Sequence, residues 1–256
     1  MSGVTFLTTT KDRPLAFVLC QRWVKHQTLQ PTQWIIVDDG KQPIADLISM
    51  DKALYLRREP KVDESPNTLF LNLKTALPIV KEDKILFIED DDYYAPKYAE
   101  TIVAKLEEHE VVGINNSRYY YLPTCGNCRA LNKRHASLAQ TAFRKSFLSE
   151  FAKLLDTNTG ALDLKLWREL ANGRGYLFSD DNEPLCVGIK GMPGRKSASG
   201  AHTASSWRYQ LYVRDLLQML LCQWIPRRKD FNLYDDIIKG KLTEDNYKTY
   251  LMERNK

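Results

Sequence analysis

Ile85-Leu86-Phe87-Ile88-Glu89-Asp90-Asp91-Asp92-Tyr93-Tyr94 sets four apolar residues directly against four consecutive acids. An apolar run of that length reads as a buried strand. Carboxylates held side by side repel one another, so a fold that keeps them together supplies a cation. Oxygen-rich clusters suit hard divalent ions such as Mg²⁺ or Mn²⁺, which in turn hold phosphate oxygens. A solvated acidic turn after a strand is the competing reading, and the rest of the chain decides between them.

Upstream, Val4–Thr10 is rich in β-branched residues and reads as a first strand. Pro14 is placed for the first turn of a helix running to about His26. Trp34-Ile35-Ile36-Val37 is a second strand that ends in Asp38-Asp39-Gly40. Strand, helix and strand in this order make a βαβ unit and hence a parallel sheet. Ala53–Leu56 reads as a third strand, and Leu69–Val80 as a helix that Pro78 ends or kinks.

Downstream, Pro96 starts a helix to about His109, and Val111–Ile114 is another strand. Tyr119–Leu122 and Ser137–Phe143 read as strands bracketing a loop that holds Cys125 and Cys128. Ser146–Leu155 and Asp163–Ala171 read as helices, with Gly173 and Gly175 closing the second. Leu211–Trp224 is a last amphipathic helix, and beyond Pro226 the chain reads as a basic, then mixed-charge tail.

A chain of 256 residues with 43% hydrophobic and 27% charged residues is long enough for a sizeable core and ordinary for a globular protein. No apolar run approaches the roughly 20 residues of a membrane span. The amino terminus lacks the basic head and apolar run of a signal peptide, and the five cysteines are scattered. These features predict a soluble cytoplasmic protein. The net charge of +5 is unevenly spread: between Val111 and Ser149 there are six Lys/Arg and no acid, and from Lys190 to Asp230 eight Lys/Arg face two acids. Such a bias favours anionic ligands, whether a small donor's phosphates or a polymer's.

Open α/β sheets bind ligands at the carboxyl ends of their strands. Thr8-Thr9-Thr10, Asp38-Asp39-Gly40 and Glu89–Asp92 all fall there, which favours a nucleotide and metal site over a solvated turn.

At these residues the chain resembles family 2-type glycosyltransferases of the GT-A fold. Val4–Pro14, with Thr8, Thr10, Asp12, Arg13 and Pro14, is similar to that family's first strand and loop. Trp34–Gly40 resembles its second strand, where an aspartate pairs with the nucleotide base. Ile85–Pro96 resembles the Asp-x-Asp segment that carries a divalent ion on the donor's diphosphate. The resemblance covers residues 4–115 and thins beyond them. It implies a Rossmann-like α/β fold with a mostly parallel sheet flanked by helices. Residues 1–115 would form the nucleotide-sugar-binding half, 116–225 a less regular acceptor-side and catalytic half of the same domain, and 226–256 the tail.

It also implies roles. Asp163 of Gly160–Trp167 matches the family's acidic helix start and would serve as general base, although Leu162 stands where a second acid is usual. Thr8, Thr10, Arg13, Asp38, Asp39, Lys74, Asp90 and Asp91 would bind the nucleotide sugar, expected to be a UDP-sugar. Arg195 and Lys196 would close over the diphosphate from a Gly- and Ser-rich loop. His202 would join Asp90 and Asp92 on Mn²⁺ or Mg²⁺. Among the acids, Glu89-x-Asp91 and Asp90-x-Asp92 are both available, since strand alternation puts 90 and 92 on one face and 89 and 91 on the other. Asp90 with Asp92 is favoured because Asp side chains hold the ion closer to the backbone.

Other motifs carry less. Cys125-x-x-Cys128 is half a zinc site with no second pair. Tyr119-Tyr120-Tyr121 suits stacking on bases or sugars as well as a half-buried strand. The acceptor stays open among a hydroxymethylated base in DNA, as in phage-type DNA modification, and a lipid-linked or surface glycan reached by peripheral membrane contact through 211–229. A noncatalytic nucleotide or nucleic-acid binding protein is the reading from another class.

Overall fold

The computed structural model describes residues 3–64, 67–122, 126–157, 161–181, 183–193 and 228–254; the side chains of 121, 126–131, 228–231 and 254 are not described. Within these residues the chain is a three-layer α/β/α structure. Its main sheet has seven strands in the order β10-β6-β9-β4-β1-β2-β3. These are β1 (Val4–Thr10), β2 (Gln33–Asp38), β3 (Ala53–Arg57), β4 (Lys84–Phe87), β6 (Val111–Ile114), β9 (Thr141–Arg144) and β10 (Gly175–Phe178). Neighbours pair in parallel except at β9, which runs antiparallel between β4 and β6.

The central strands are buried on both faces, which is why they read as continuous apolar runs rather than alternating ones. Period two then sorts their side chains into two cores. Phe6, Trp34, Ile36, Leu86, Ile88, Val112 and Ile114 face one way, under α1 (Pro14–Lys25) and α3 (Tyr98–Leu106). Leu7, Ile35, Val37, Ile85, Phe87, Val111 and Phe143 face the other, under α2 (Leu69–Ala76) and α4 (Leu148–Asp156). Each fully buried aliphatic or aromatic side chain contributes about 1.5–3 kcal/mol. Helix α1 begins on Pro14, and Arg22 and Lys25 in its last turn complement the helix dipole. Helix α2 stops two residues before Pro78, and Leu77–Ile79 continues as one 3₁₀ turn.

A second sheet of four strands, β5-β11-β7-β8, lies beyond the carboxyl end of β4. It consists of β5 (Tyr93–Tyr94), β7 (Asn116–Tyr121), β8 (Gly126–Leu131) and β11 (Cys186–Lys190). Strand β5 follows the four acids immediately, so its antiparallel pairing with β11 pins that later strand beside them. Strands β5, β8, β10 and β11 are not anticipated from the sequence; the residues of β8, Cys128 among them, read there as a loop, and instead pair antiparallel with β7.

The stretch beyond Pro226, read from sequence as a tail, contributes two helices, α6 (Arg228–Ile238) and α7 (Tyr247–Arg254). They join the core: Leu233, Tyr234, Leu242 and Tyr247 are buried against it. Trp23 Nε1 donates to the Tyr234 hydroxyl at 3.2 Å, and the Leu15 amide donates to Glu244 at 3.2 Å. No helix among the described residues is long and apolar enough to cross a membrane. The expected helix at 211–224 lies outside the described residues.

Candidate active site

The carboxyl ends of β1, β2 and β4 bring three polar groups to one edge. Strand β4 ends at Phe87, and the chain then turns: the Asp92 amide lies 3.5 Å from the Glu89 carbonyl. The Glu89 amide donates to the Tyr94 hydroxyl at 2.8 Å. Carboxylate oxygens of Glu89, Asp91 and Asp92 all lie within 4.8 Å of one another. Asp90 is outside this group and points to Arg13, whose guanidinium meets Asp90 at 2.9 Å and also bonds Asp91. The expected pair is thus split, with Asp92 in the converging group and Asp90 on Arg13, and the strand alternation that would group 90 with 92 does not apply because the chain turns here.

Asp92 receives the Ile189 amide at 3.0 Å and has Lys190 Nζ at 3.7 Å. Lys190 ends β11 and its ammonium stands 5.6 Å over the Tyr119 ring. Gly188 makes this possible, since a Cβ there would strike that ring. Sequence reading passed over Lys190 as one of many basic residues; Cys186-Val187-Gly188-Ile189 is a short apolar run that could have marked its strand.

Four carboxyls thus face the two cations Arg13 and Lys190, and their protonation reflects the shortage. Burial, then the charges of Asp92 and Asp91, push Glu89 up to about 8 against Lys190 and Arg13. Burial raises Asp90 to about 7 despite Arg13, and the Thr10 hydroxyl beside it also favours the charged form. Burial raises Asp92 to about 6 against Lys190. For Asp91, burial acts upward but Arg13 and Lys190 outweigh it, holding the carboxyl below its ordinary range. An oxygen-only group of three converging carboxylates short of positive charge fits a hard divalent cation such as Mn²⁺ or Mg²⁺.

Asp38 and Asp39 are fully buried and engaged within the protein. Asp38 accepts from the Gly40 and Ile44 amides at 2.8 and 3.2 Å and from the Tyr55 hydroxyl at 2.8 Å, with Arg57 at 3.3 Å. Asp39 accepts from Asn72 at 2.8 Å and Arg58 at 2.6 Å, with Lys11 at 3.3 Å. Burial acts to raise Asp39, but hydrogen bonds from Thr68 and Asn72 and the charges of Lys11 and Arg58 hold it below its usual range. Lys11 and Arg58 keep some exposure, so a ligand at this edge meets them before it meets Asp39. Thr8 is buried beneath, accepting from Trp34 Nε1 at 2.9 Å, and so supports β1 and β2 from inside the core.

Lys74 does not join this edge. Asn72 reaches Asp39, and two residues on the helix turns by roughly 200°, so Lys74 points away and pairs with Asp156 of α4 at 2.7 Å. Asp163 sits in the first turn of α5 (Leu162–Lys165), which runs on as a π-helical turn over Leu166–Leu170. Trp167 anchors that segment: its Nε1 donates to Thr141 at 3.0 Å, and its ring fills the space that Gly113 leaves. Asp163 Oδ1 accepts from the Leu164 amide at 2.8 Å. Its charge acts on Tyr119, whose hydroxyl is pushed up to about 12 chiefly by burial and which also feels Lys190 and Asp92. Asp163 and the acidic cluster are thereby within electrostatic reach of one tyrosine. Arg195, Lys196 and His202 lie outside the described residues, as does Cys125.

A sheet of this order, with carboxylates converging at the end of its central strand, defines a GT-A-type α/β fold. The chain belongs to glycosyl transferase family 2, whose model matches residues 9–161. Solved structures agree on the fold. S. aureus TarS is 13% identical with a TM-score of 0.51, the match covering 73% of this chain and 36% of that one. TarS in complex with UDP gives 13% identity and a TM-score of 0.52 over 73% of this chain and 60% of that one. The mannosyltransferase PcManGT from Pyrobaculum calidifontis, in complex with GDP-Man and Mn²⁺, gives 14% and 0.54 over 75% and 57%. The chain therefore spans between about a third and three-fifths of these proteins' lengths. No match is found among curated proteins.

Proposed function

We propose that this chain transfers a sugar from a nucleoside-diphosphate sugar to a hydroxyl acceptor, with Mn²⁺ or Mg²⁺ held by Glu89, Asp91 and Asp92. The observation that carries the reading is the convergence of those three carboxylates at the end of β4. The UDP held by TarS and the GDP-Man and Mn²⁺ held by PcManGT support a nucleotide sugar and a divalent ion here, with UDP-sugar the first donor to test.

A divalent ion bound there supplies charge neutralisation for the departing diphosphate. The chain's own residues do the rest. Arg13 draws Asp90 aside and fixes the turn, so that the other three acids face one point. Lys11 and Arg58 present donors at the nucleotide edge beside Asp38 and Asp39. Asp163 takes the acceptor hydroxyl's proton as the glycosidic bond forms. Arg195, Lys196 and His202 remain on the donor side of this proposal on sequence grounds, and the cytoplasm remains the proposed location.

For the acceptor, the basic bias of 111–149 is partly consumed inside the protein. Arg118 is buried beside Asp180, Arg144 pairs with Asp83, and Lys145 donates to the Val80 and Lys81 carbonyls. Lys133 and Arg134 stay exposed. The test is turnover of a panel of nucleotide sugars with Mn²⁺, read as nucleoside diphosphate released and as mass gained by the acceptor. Acceptor arms are plain DNA, hydroxymethylated DNA and lipid-linked glycan. Release that requires Mn²⁺ is expected; no release or binding with any donor would refute the reading.

A further inference from the structure

We infer that Lys190 is the side-chain cation that joins the metal in binding the donor's diphosphate, handed over from Asp92 when the acidic cluster fills with metal. The inference rests on the proposed function and assigns a residue that neither the sequence reading nor the family resemblance singled out.

The two cations at the cluster are held very differently. Arg13 is doubly committed, to Asp90 at 2.9 Å and to Asp91, and its planar fork suits it to that fixed task. Lys190 stands 3.7 Å from Asp92, beyond hydrogen-bond distance, and 5.6 Å from the Tyr119 ring centre. Asp92 already has the Ile189 amide at 3.0 Å on the same oxygen. Among the described residues the ammonium is thus held by field and by an aromatic face rather than by a hydrogen bond, and its three donors rotate about a flexible stem.

Its backbone, by contrast, is firmly placed. Strand β11 is clamped between β5 and β7, pairing Cys186 with Tyr94 and Lys190 with Tyr121. Position is fixed while the charged end is loose, which suits a group that must change partner without moving its strand. When a divalent ion takes up the Asp92 carboxylate, the attraction holding Lys190 there is cancelled. The ammonium is left as an unbalanced positive charge beside the metal, available to the phosphate oxygens that the metal would hold. A compact ammonium is suited to phosphate oxygens as a point charge.

Opposite changes in two affinities test this on the full chain by calorimetry. In Lys190→Met, Mn²⁺ alone is expected to bind several-fold tighter, because a competing positive charge has gone. UDP titrated at saturating Mn²⁺ is expected to bind about tenfold or more weaker. Lys190→Arg, which keeps the charge, is expected to restore UDP affinity most of the way. Unchanged UDP affinity in Lys190→Met would overturn the inference and leave Lys190 as a counter-ion for Asp92 only. Loss of Mn²⁺ binding in both variants would also overturn it, assigning the residue to holding the fold. If the wild-type protein with Mn²⁺ binds no nucleoside diphosphate, the proposed function fails instead.

Discussion

Glu89 and Asp92 stand three residues apart across a turn, and that spacing decides what each acid can do. The acids were legible from sequence as a cluster, because four adjacent carboxylates after an apolar run demand a cation. Which of them converge was not, because the alternation that groups 90 with 92 and 89 with 91 applies only while the chain is a strand, and β4 ends at Phe87. Asp91→Asn is therefore expected to weaken Mn²⁺ binding by about 100-fold, whereas Asp90→Asn, which loses an Arg13 contact outside the converging group, should cost about tenfold or less. Calorimetry with Mn²⁺ separates the two; equal losses would restore the alternate register. Asp163→Ala should leave UDP-sugar binding intact and lower turnover by about 10²–10⁴-fold, the range for loss of a positioned base. Normal transfer by that variant would move the base elsewhere. Lys74 lies on the expected helix, but the helical period turns it from Asp39 to Asp156 of α4.

At the scale of elements, the doubly buried strands were legible since long apolar runs have few other uses. The short ones were not. Tyr93-Tyr94 is too brief to carry a period, and β10 and β11 draw their pairing from distant partners that local pattern does not contain. The carboxyl-terminal helices were missed because their polar faces dominate the composition, yet each buries a few side chains into the first core. Leu233→Ala should cost about 2–5 kcal/mol by urea denaturation, as for a buried leucine; a loss under about 0.5 kcal/mol would mean that α6 does not belong to the folded unit. Gly113→Ala drives a methyl into the Trp167 ring and should cost about 1–3 kcal/mol. Because Trp167 anchors the segment that carries Asp163, turnover should fall as well.

For the whole molecule, the acidic cluster makes stability depend on both pH and metal. Glu89, Asp90 and Asp92 all ionise at higher pH in the folded protein than their ordinary values. A carboxyl raised by folding stabilises the folded state below its unfolded pKa and loses that contribution as pH rises through the folded value. The metal-free protein should therefore become less stable from about pH 5 to about pH 8, with Asp91 opposing the trend weakly at the acid end. Metal ligands must be deprotonated, so the gain in melting temperature with Mn²⁺ should grow over the same interval. A Mn²⁺ effect that is flat with pH would contradict the electrostatic account of the site.

The central claim is that Glu89, Asp91 and Asp92 hold the ion that receives the donor's diphosphate. Anomalous diffraction from crystals grown with MnCl₂ and UDP addresses it directly. The account predicts a manganese peak shared by these three carboxylates and diphosphate oxygens, with Asp90 still on Arg13. Diphosphate bound without manganese, or manganese seated on Asp90 or away from the cluster, would contradict it.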